Sequence, residues 1–287
     1  MGLSKANFQK RVHKKVSRRT IVSICKFLKK RELSLWGQNK WKHFLLDSIY
    51  LTLYKDLFNN GSIKLKEKVK QWYKPTTKSL HHNCQEIRRE MSIWSETQVV
   101  IGDKEDWDRA RDNSSFSKEF KSINLWMDSV DFGLNGRRKV SKKSLEWSYK
   151  LNRPGRRFMI VMDGSSQIRA KWGPYSPKTY DGFWLEEHRK NLEKKFEGGS
   201  IAADTHFSFG RKLKKVKFFV PYSKQEKIYK LKKKYSKELR RIRSMVESPF
   251  GLIKQKFTSL DNSFAEGAEQ LGYLVDYSIG IFNNEKN

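Results

Sequence analysis

Apolar positions recur every fourth residue between 40 and 58. Leu45, Ile49, Leu53 and Leu57 line one face, with Leu46, Tyr50, Tyr54 and Phe58 beside them. That spacing predicts a helix over 40–58, stopped by Asn59-Asn60-Gly61. A second helix is predicted from Ser62 to Trp72. Tyr73-Lys74-Pro75-Thr76-Thr77 reads as a turn that ends in an N-capping threonine. It opens a third helix over about 78–91, with Leu80, Cys84, Ile87 and Met91 on one face. Upstream, Thr20 to Leu33 is an amphipathic stretch within a basic segment, 1–35. Residues 93–121 carry an acidic patch (Asp103, Glu105, Asp106, Asp108) and a polar run, Asp112 to Ser117, and read as a connector.

Beyond 121 the period shortens. Asn124 to Leu134 reads as a buried strand and Leu145 to Leu151 as another. Phe158–Met162 and Gln167–Trp172 flank Asp163-Gly164-Ser165-Ser166, a hairpin turn. Tyr180 to Phe196 reads as a helix stopped by Gly198-Gly199, Ser200 to Phe207 as a short strand and Val216 to Val220 as a further one. Helical patterning resumes over Gln225 to Phe257, bent at Pro249-Phe250-Gly251. It returns over Phe264 to Phe282, interrupted at Gly272. Strands followed by helix, strand and helix predict an α/β domain on a mixed sheet. The expected organisation is a basic helical region over 1–92, a connector over 93–121 and an α/β domain over 122–287.

Charge narrows the function. The 287 residues hold 61 Lys and Arg against 31 Asp and Glu, a net charge of +30. Dense patches lie at Lys10–Arg19, Lys29–Arg31, Arg211–Lys217 and Lys230–Arg243. Such an excess favours a polyanion, because neutralising phosphates releases condensed counterions. Two cysteines cannot build a disulfide framework or a Cys-rich zinc module, and no apolar run approaches the roughly 18 residues of a membrane span. The short basic runs also suit a nuclear address. Three N-terminal helices with a tight turn before the last suggest a helix-turn-helix module. In that reading Lys78, His81, His82 and Gln85 face base edges, and Arg88 and Arg89 lie near phosphate. An ordinary helical subdomain would present the same polar face.

Three acids stand where burial is costly. Asp128 lies between Trp126-Met127 and Val130, Asp204 ends Ile201-Ala202-Ala203, and Glu247 follows Met245-Val246. Each needs a cation or a hydrogen-bonded partner. Converging, the three would suit Mg²⁺ or Mn²⁺, whose hard character prefers carboxylate oxygens. A pair of such ions activates water and stabilises the leaving oxygen in phosphodiester cleavage. Standing apart, each acid would pair with one of the many lysines or arginines. Asp131 is an odd number of positions from Asp128 and points to the other face of a regular strand. Asp163 reads as a turn former and Asp181 as a cap of the helix beside it, or as a residue near the site.

The stretch from about 124 to 260 resembles the catalytic domain of PIF/Harbinger transposases, a DDE superfamily endonuclease group. Met127-Asp128-Ser129-Val130-Asp131 stands where the family has its first acid, with Asp131 in place of a His. Gly173 to Asp181 resembles the family's Gly-Ser-Asp loop. Ala203-Asp204-Thr205-His206-Phe207 resembles the segment that carries the second acid. The segment from Arg243 through Glu247 and Phe250-Gly251 to Lys254 is the nearest match, with the third acid on a helix. The acids are 76 and 43 residues apart.

This resemblance implies an RNase H-like catalytic domain in which Asp128, Asp204 and Glu247 hold two Mg²⁺ or Mn²⁺ ions. It implies cutting of double-stranded DNA, with strand transfer in a competent transposase, and action in the nucleus. Arg243 and Lys254 would serve the DNA, alongside a separate Myb-like DNA-binding partner; self-association is left open. The altered residues around the acids keep a second reading alive, a relic that binds DNA without cutting it. A third is an RNA-binding protein with no metal site.

Overall fold

The computed structural model describes residues 2–31, 45–58, 61–74, 76–113, 122–135, 140–222, 233, 235–237, 239, 249–261, 264 and 266–286. The chain divides into two units. One comprises 1–98, 133–137 and 253–287, the other 99–132 and 138–252.

The first unit is helical. Its elements are α1 (Lys5–His13), α2 (Arg18–Lys30), α3 (Leu45–Leu57), α4 (Ser62–Val69), α5 (Thr77–Glu96) and a C-terminal helix, Ala268–Lys286. Local chemistry starts several of them. Ser17 accepts the Thr20 N–H at the head of α2 (3.2 Å), and Thr76, the expected N-cap, accepts the Ser79 N–H at the head of α5 (3.0 Å). Helix α5 is the centre of this unit, packed against α2, α3, α4 and the C-terminal helix. The C-terminal helix runs unbroken through Gly272, contrary to the expected interruption. At Gly280 it comes so close to α5 that a β-carbon would lie 2.6 Å from the Ser95 side chain.

The second unit carries the sheet. After α6 (Lys104–Asp112) come β1 (Leu125–Gly133, its last residue in the first unit), β2 (Trp147–Ser148), β3 (Arg153–Asp163) and β4 (Ile168–Tyr175). Then follow α7 (Asp181–Glu187), α8 (Arg189–Lys195), β5 (Ser200–Ala202), a 3₁₀ turn (Thr205–Lys212) and β6 (Lys217–Phe219). The sheet order is β2-β3-β1-β5-β6, with β4 antiparallel to β3, β5 parallel to β1, and β6 parallel to β5. A β3–β4 hairpin on one side of β1 and two parallel strands on the other make the mixed, RNase H-like arrangement. Residues of odd number face one core: Leu125 and Met127, Met159 and Val161, Ile201 and Ala203, closed by Trp107, Trp184 and Phe196.

Several elements differ from expectation. The acidic patch builds α6, closed at its start by a reciprocal capping box between Asp103 and Asp106. The expected strand over 145–151 shrinks to Trp147–Ser148. The expected helix over 180–196 divides at His188 into α7 and α8. The strand from Ser200 ends at Ala202, where the Asp204 side chain caps a 3₁₀ turn. Residues 249–256 are helical, and the stretch before Pro249 on which the expected bend depends lies outside the described residues. Most of the expected helix from Gln225, and Asn59-Asn60, lie outside the described residues.

Candidate active site and nucleic-acid interface

Strand register places the first two acids. In the parallel β1–β5 pair, Trp126 lies opposite Ala202. Asp128 and Asp204 each lie two residues further on, where β5 leaves β1. Adjacent strands run roughly 4.8 Å apart and side chains alternate. With Leu125 and Met127 in the core, alternation along β1 sets Asp128 on the opposite face, while Asp204 stands just beyond the end of β5 as the N-cap of the 3₁₀ turn. Asp128 is buried, and its Oδ1 accepts the Ser129 N–H at 2.8 Å. Asp204 is half-buried, and its Oδ1 accepts the His206 N–H at 2.9 Å. Both carboxylates are therefore oriented by the backbone. Glu247 and Arg243 lie outside the described residues. Among the described residues, no three His, Cys, Asp or Glu side chains form a metal-holding cluster.

The odd face of β1 holds a network that reading the sequence missed. Asp131 is buried and accepts from Arg157 Nε (2.8 Å) and from the Ser148 hydroxyl (2.6 Å). Arg157 also reaches Asp181 Oδ1 (3.2 Å) and the Thr179 carbonyl (2.9 Å), while the Ser129 hydroxyl donates to Asp181 Oδ2 (3.1 Å). Burial works against the Arg157 charge, but the hydrogen bond and charge of Asp131, and then of Asp181, hold its pKa above the ordinary guanidinium value. Asp181 thus does not cap α7; it is the helix's first residue and ties it to β1 and β3. Asp163 forms the turn as expected. Its Oδ1 accepts the N–H groups of Ser165 (2.9 Å) and Gln167 (3.0 Å), and its Oδ2 takes Arg169 (2.6 Å). Charged residues beside apolar ones (Asp131 before Phe132, Arg157 before Phe158) were the available signal.

In the first unit, α5 presents an exposed edge. Lys78, His82 and Arg89 are exposed and Gln85 half-exposed, spaced four, three and four residues apart on one helical face. Arg88 is a correction: it is fully buried and cannot meet phosphate. It clamps Asp56 (2.5 Å and 2.8 Å) and Glu266 (2.5 Å), while Lys55 pairs with Glu266 and the Tyr277 hydroxyl donates to Asp56. Burying a guanidinium costs several kcal/mol unless such partners surround it. His81 leans toward the same cluster, 3.8 Å from Glu266, with its side chain 43% exposed. Burial, the largest influence on it, lowers its pKa, against the opposing pull of Glu266. Lys78 and His81 line a cleft of about 670 Å³ with Lys64 and Thr77. Lys254 is half-buried on the 249–256 helix.

No curated protein gives a significant match. Among solved structures, the chain is similar to piggyBac transposase in a cryo-EM synaptic complex with hairpin DNA. The identity is 12%, the TM-score 0.44, and the match covers 96% of this chain and 74% of that one. The model of the DDE superfamily endonucleases matches residues 127–283, a span that contains Asp128, Asp204 and Glu247. Since that span is more than half of its length, the chain belongs to the DDE superfamily endonuclease family.

Proposed function

We propose that this chain is a transposase-derived endonuclease of the Harbinger type, cutting phosphodiester bonds in double-stranded DNA with divalent metal at Asp128, Asp204 and Glu247. The observation that supports the reading is the register of β1 and β5, in which Trp126 pairs with Ala202, two residues before Asp128 and Asp204 respectively. Family membership supports it, since the matched span includes all three acids.

The donor set fits Mg²⁺ or Mn²⁺. Asp128 and Asp204 supply hard carboxylate oxygens, each carboxylate already oriented by a backbone N–H. Such ions, when bound, activate water and stabilise the leaving oxygen. The chain's own contribution is to hold the acids in place. The Asp131–Arg157–Asp181 network locks β1, β3 and α7 behind Asp128. The exposed edge of α5 and the positive surface supply phosphate contacts.

Nicking of supercoiled plasmid in Mn²⁺ or Mg²⁺ tests this. Asp128→Asn and Asp204→Ala should each lower the rate by on the order of a hundredfold or more, since metal assistance contributes several kcal/mol at tenfold per 1.36 kcal/mol. Nicking by the Asp204→Ala variant at the wild-type rate would overturn the assigned site, and no metal-dependent nicking by the wild-type chain would favour the DNA-binding relic.

A further inference from the structure

We infer that the exposed face of α2 is a second DNA-backbone contact, separate from the edge of α5; the inference rests on the proposed DNA-cutting role. The first 31 residues contain 11 Lys and Arg and no Asp or Glu. On α2 every lysine and arginine is exposed. Thr20, Ile21, Ile24, Cys25 and Leu28 are buried, while Arg18, Arg19, Val22, Lys26, Lys29 and Lys30 are exposed. At about 100° per residue, the five cations of that helix fall within an arc of roughly 120°. Arg18, Arg19, Val22, Ser23 and Lys26 line a shallow depression of about 540 Å³.

Three observations favour a phosphate backbone over a merely solvated face. First, among the described residues, three acids of the same unit are engaged elsewhere: Asp47 with Lys5, Glu90 with Arg31, and Glu285 with Lys256 and the Ser17 N–H. Second, the first turn of α2 holds Arg18 and Arg19 and no acid, although the helix dipole disfavours cations there. Arg19 is used in the fold, donating to the Asn284 carbonyl (3.0 Å), whereas Arg18 stands exposed at the head of the helix. Third, the lengths agree. Residues 18–30 rise about 18 Å, which spans about five phosphates of one strand at roughly 3.4 Å each. Five cations therefore face about five negative charges.

The test is the salt dependence of binding to a random-sequence DNA duplex, for the full chain and two triple variants. One carries Arg18→Gln, Lys26→Gln and Lys29→Gln. The other carries the same loss of charge on α8, at the exposed Arg189, Lys190 and Lys194. Each lost phosphate contact removes roughly 0.9 from the slope of log affinity against log salt. The α2 variant should lose about 3 in slope and bind at least about tenfold more weakly at 0.1 M salt. The α8 variant should stay near wild type. An unchanged slope for the α2 variant, or an equal loss in both, overturns the inference and leaves the nuclease reading standing. Loss of binding to phosphatidylserine vesicles with DNA binding intact would also overturn it, assigning the face to a membrane. Failure of the wild-type chain to bind DNA at all would instead remove the nuclease reading itself.

Discussion

Arg88 and Arg157 are each a buried arginine shared by two acids, and each ties together elements distant in sequence. The Arg88 cluster makes a testable pH statement. Burial alone would raise the Glu266 pKa, but the charges and hydrogen bonds of Arg88 and Lys55 bring it down to about 2. A depressed carboxylate pKa contributes stability that is full above its unfolded value, near 4.5, and that disappears as pH falls toward 2. The shift corresponds to about 3 kcal/mol. Urea unfolding of wild type and Glu266→Gln across pH 7 to 2.5 should show the largest gap above pH 5 and a narrowing gap below it. A gap independent of pH would refute the ion-pair account. The same cluster shows why Arg88 was misread. Its partners lie 32 and 178 residues away, and helical spacing alone cannot tell Arg88 from the exposed Arg89 beside it. Asp128 and Asp204 stood out as candidates because an acid within or at the end of an apolar run is locally conspicuous.

Among the elements, those with strong periodicity were readable: α3, α5, β1 and the β3–β4 hairpin fall close to their expected places. Helix α1 was missed because only Phe8 and Val12 are buried along it, too few to show a period. The acidic patch concealed α6, whose capping box needs only Asp103 and Asp106 and no apolar stripe beyond Trp107. The end of β5 was misplaced because Thr205 to Phe207 looks strand-like, whereas the Asp204 cap turns the chain. That early turn places Asp204 at the strand's end. The start of α5 offers a direct check on local coding. Thr76→Ala should cost about 1 kcal/mol in thermal or urea unfolding, and Thr76→Ser should restore most of it. An alanine variant of unchanged stability would mean that the packing of α5 alone sets its start.

At the scale of the molecule, a net charge of +30 and membership of the DDE superfamily endonuclease family support the proposed cutting of DNA. The sheet was legible as a class, because hairpin and strand signals alternate with helical ones. The pairing of Trp126 with Ala202 was not, since 76 residues separate them and only the folded sheet brings β1 and β5 together. The most direct measurement of the central claim is iron-directed backbone cleavage. Fe²⁺ replaces Mg²⁺ in the full chain, and ascorbate with peroxide generates radicals that cut the polypeptide beside the ion. The account predicts fragments ending near residues 128, 204 and 247, all suppressed by excess Mg²⁺ and all lost in Asp128→Asn. Cleavage that spares the neighbourhood of 204, or that persists unchanged in Asp128→Asn, would contradict a shared ion site.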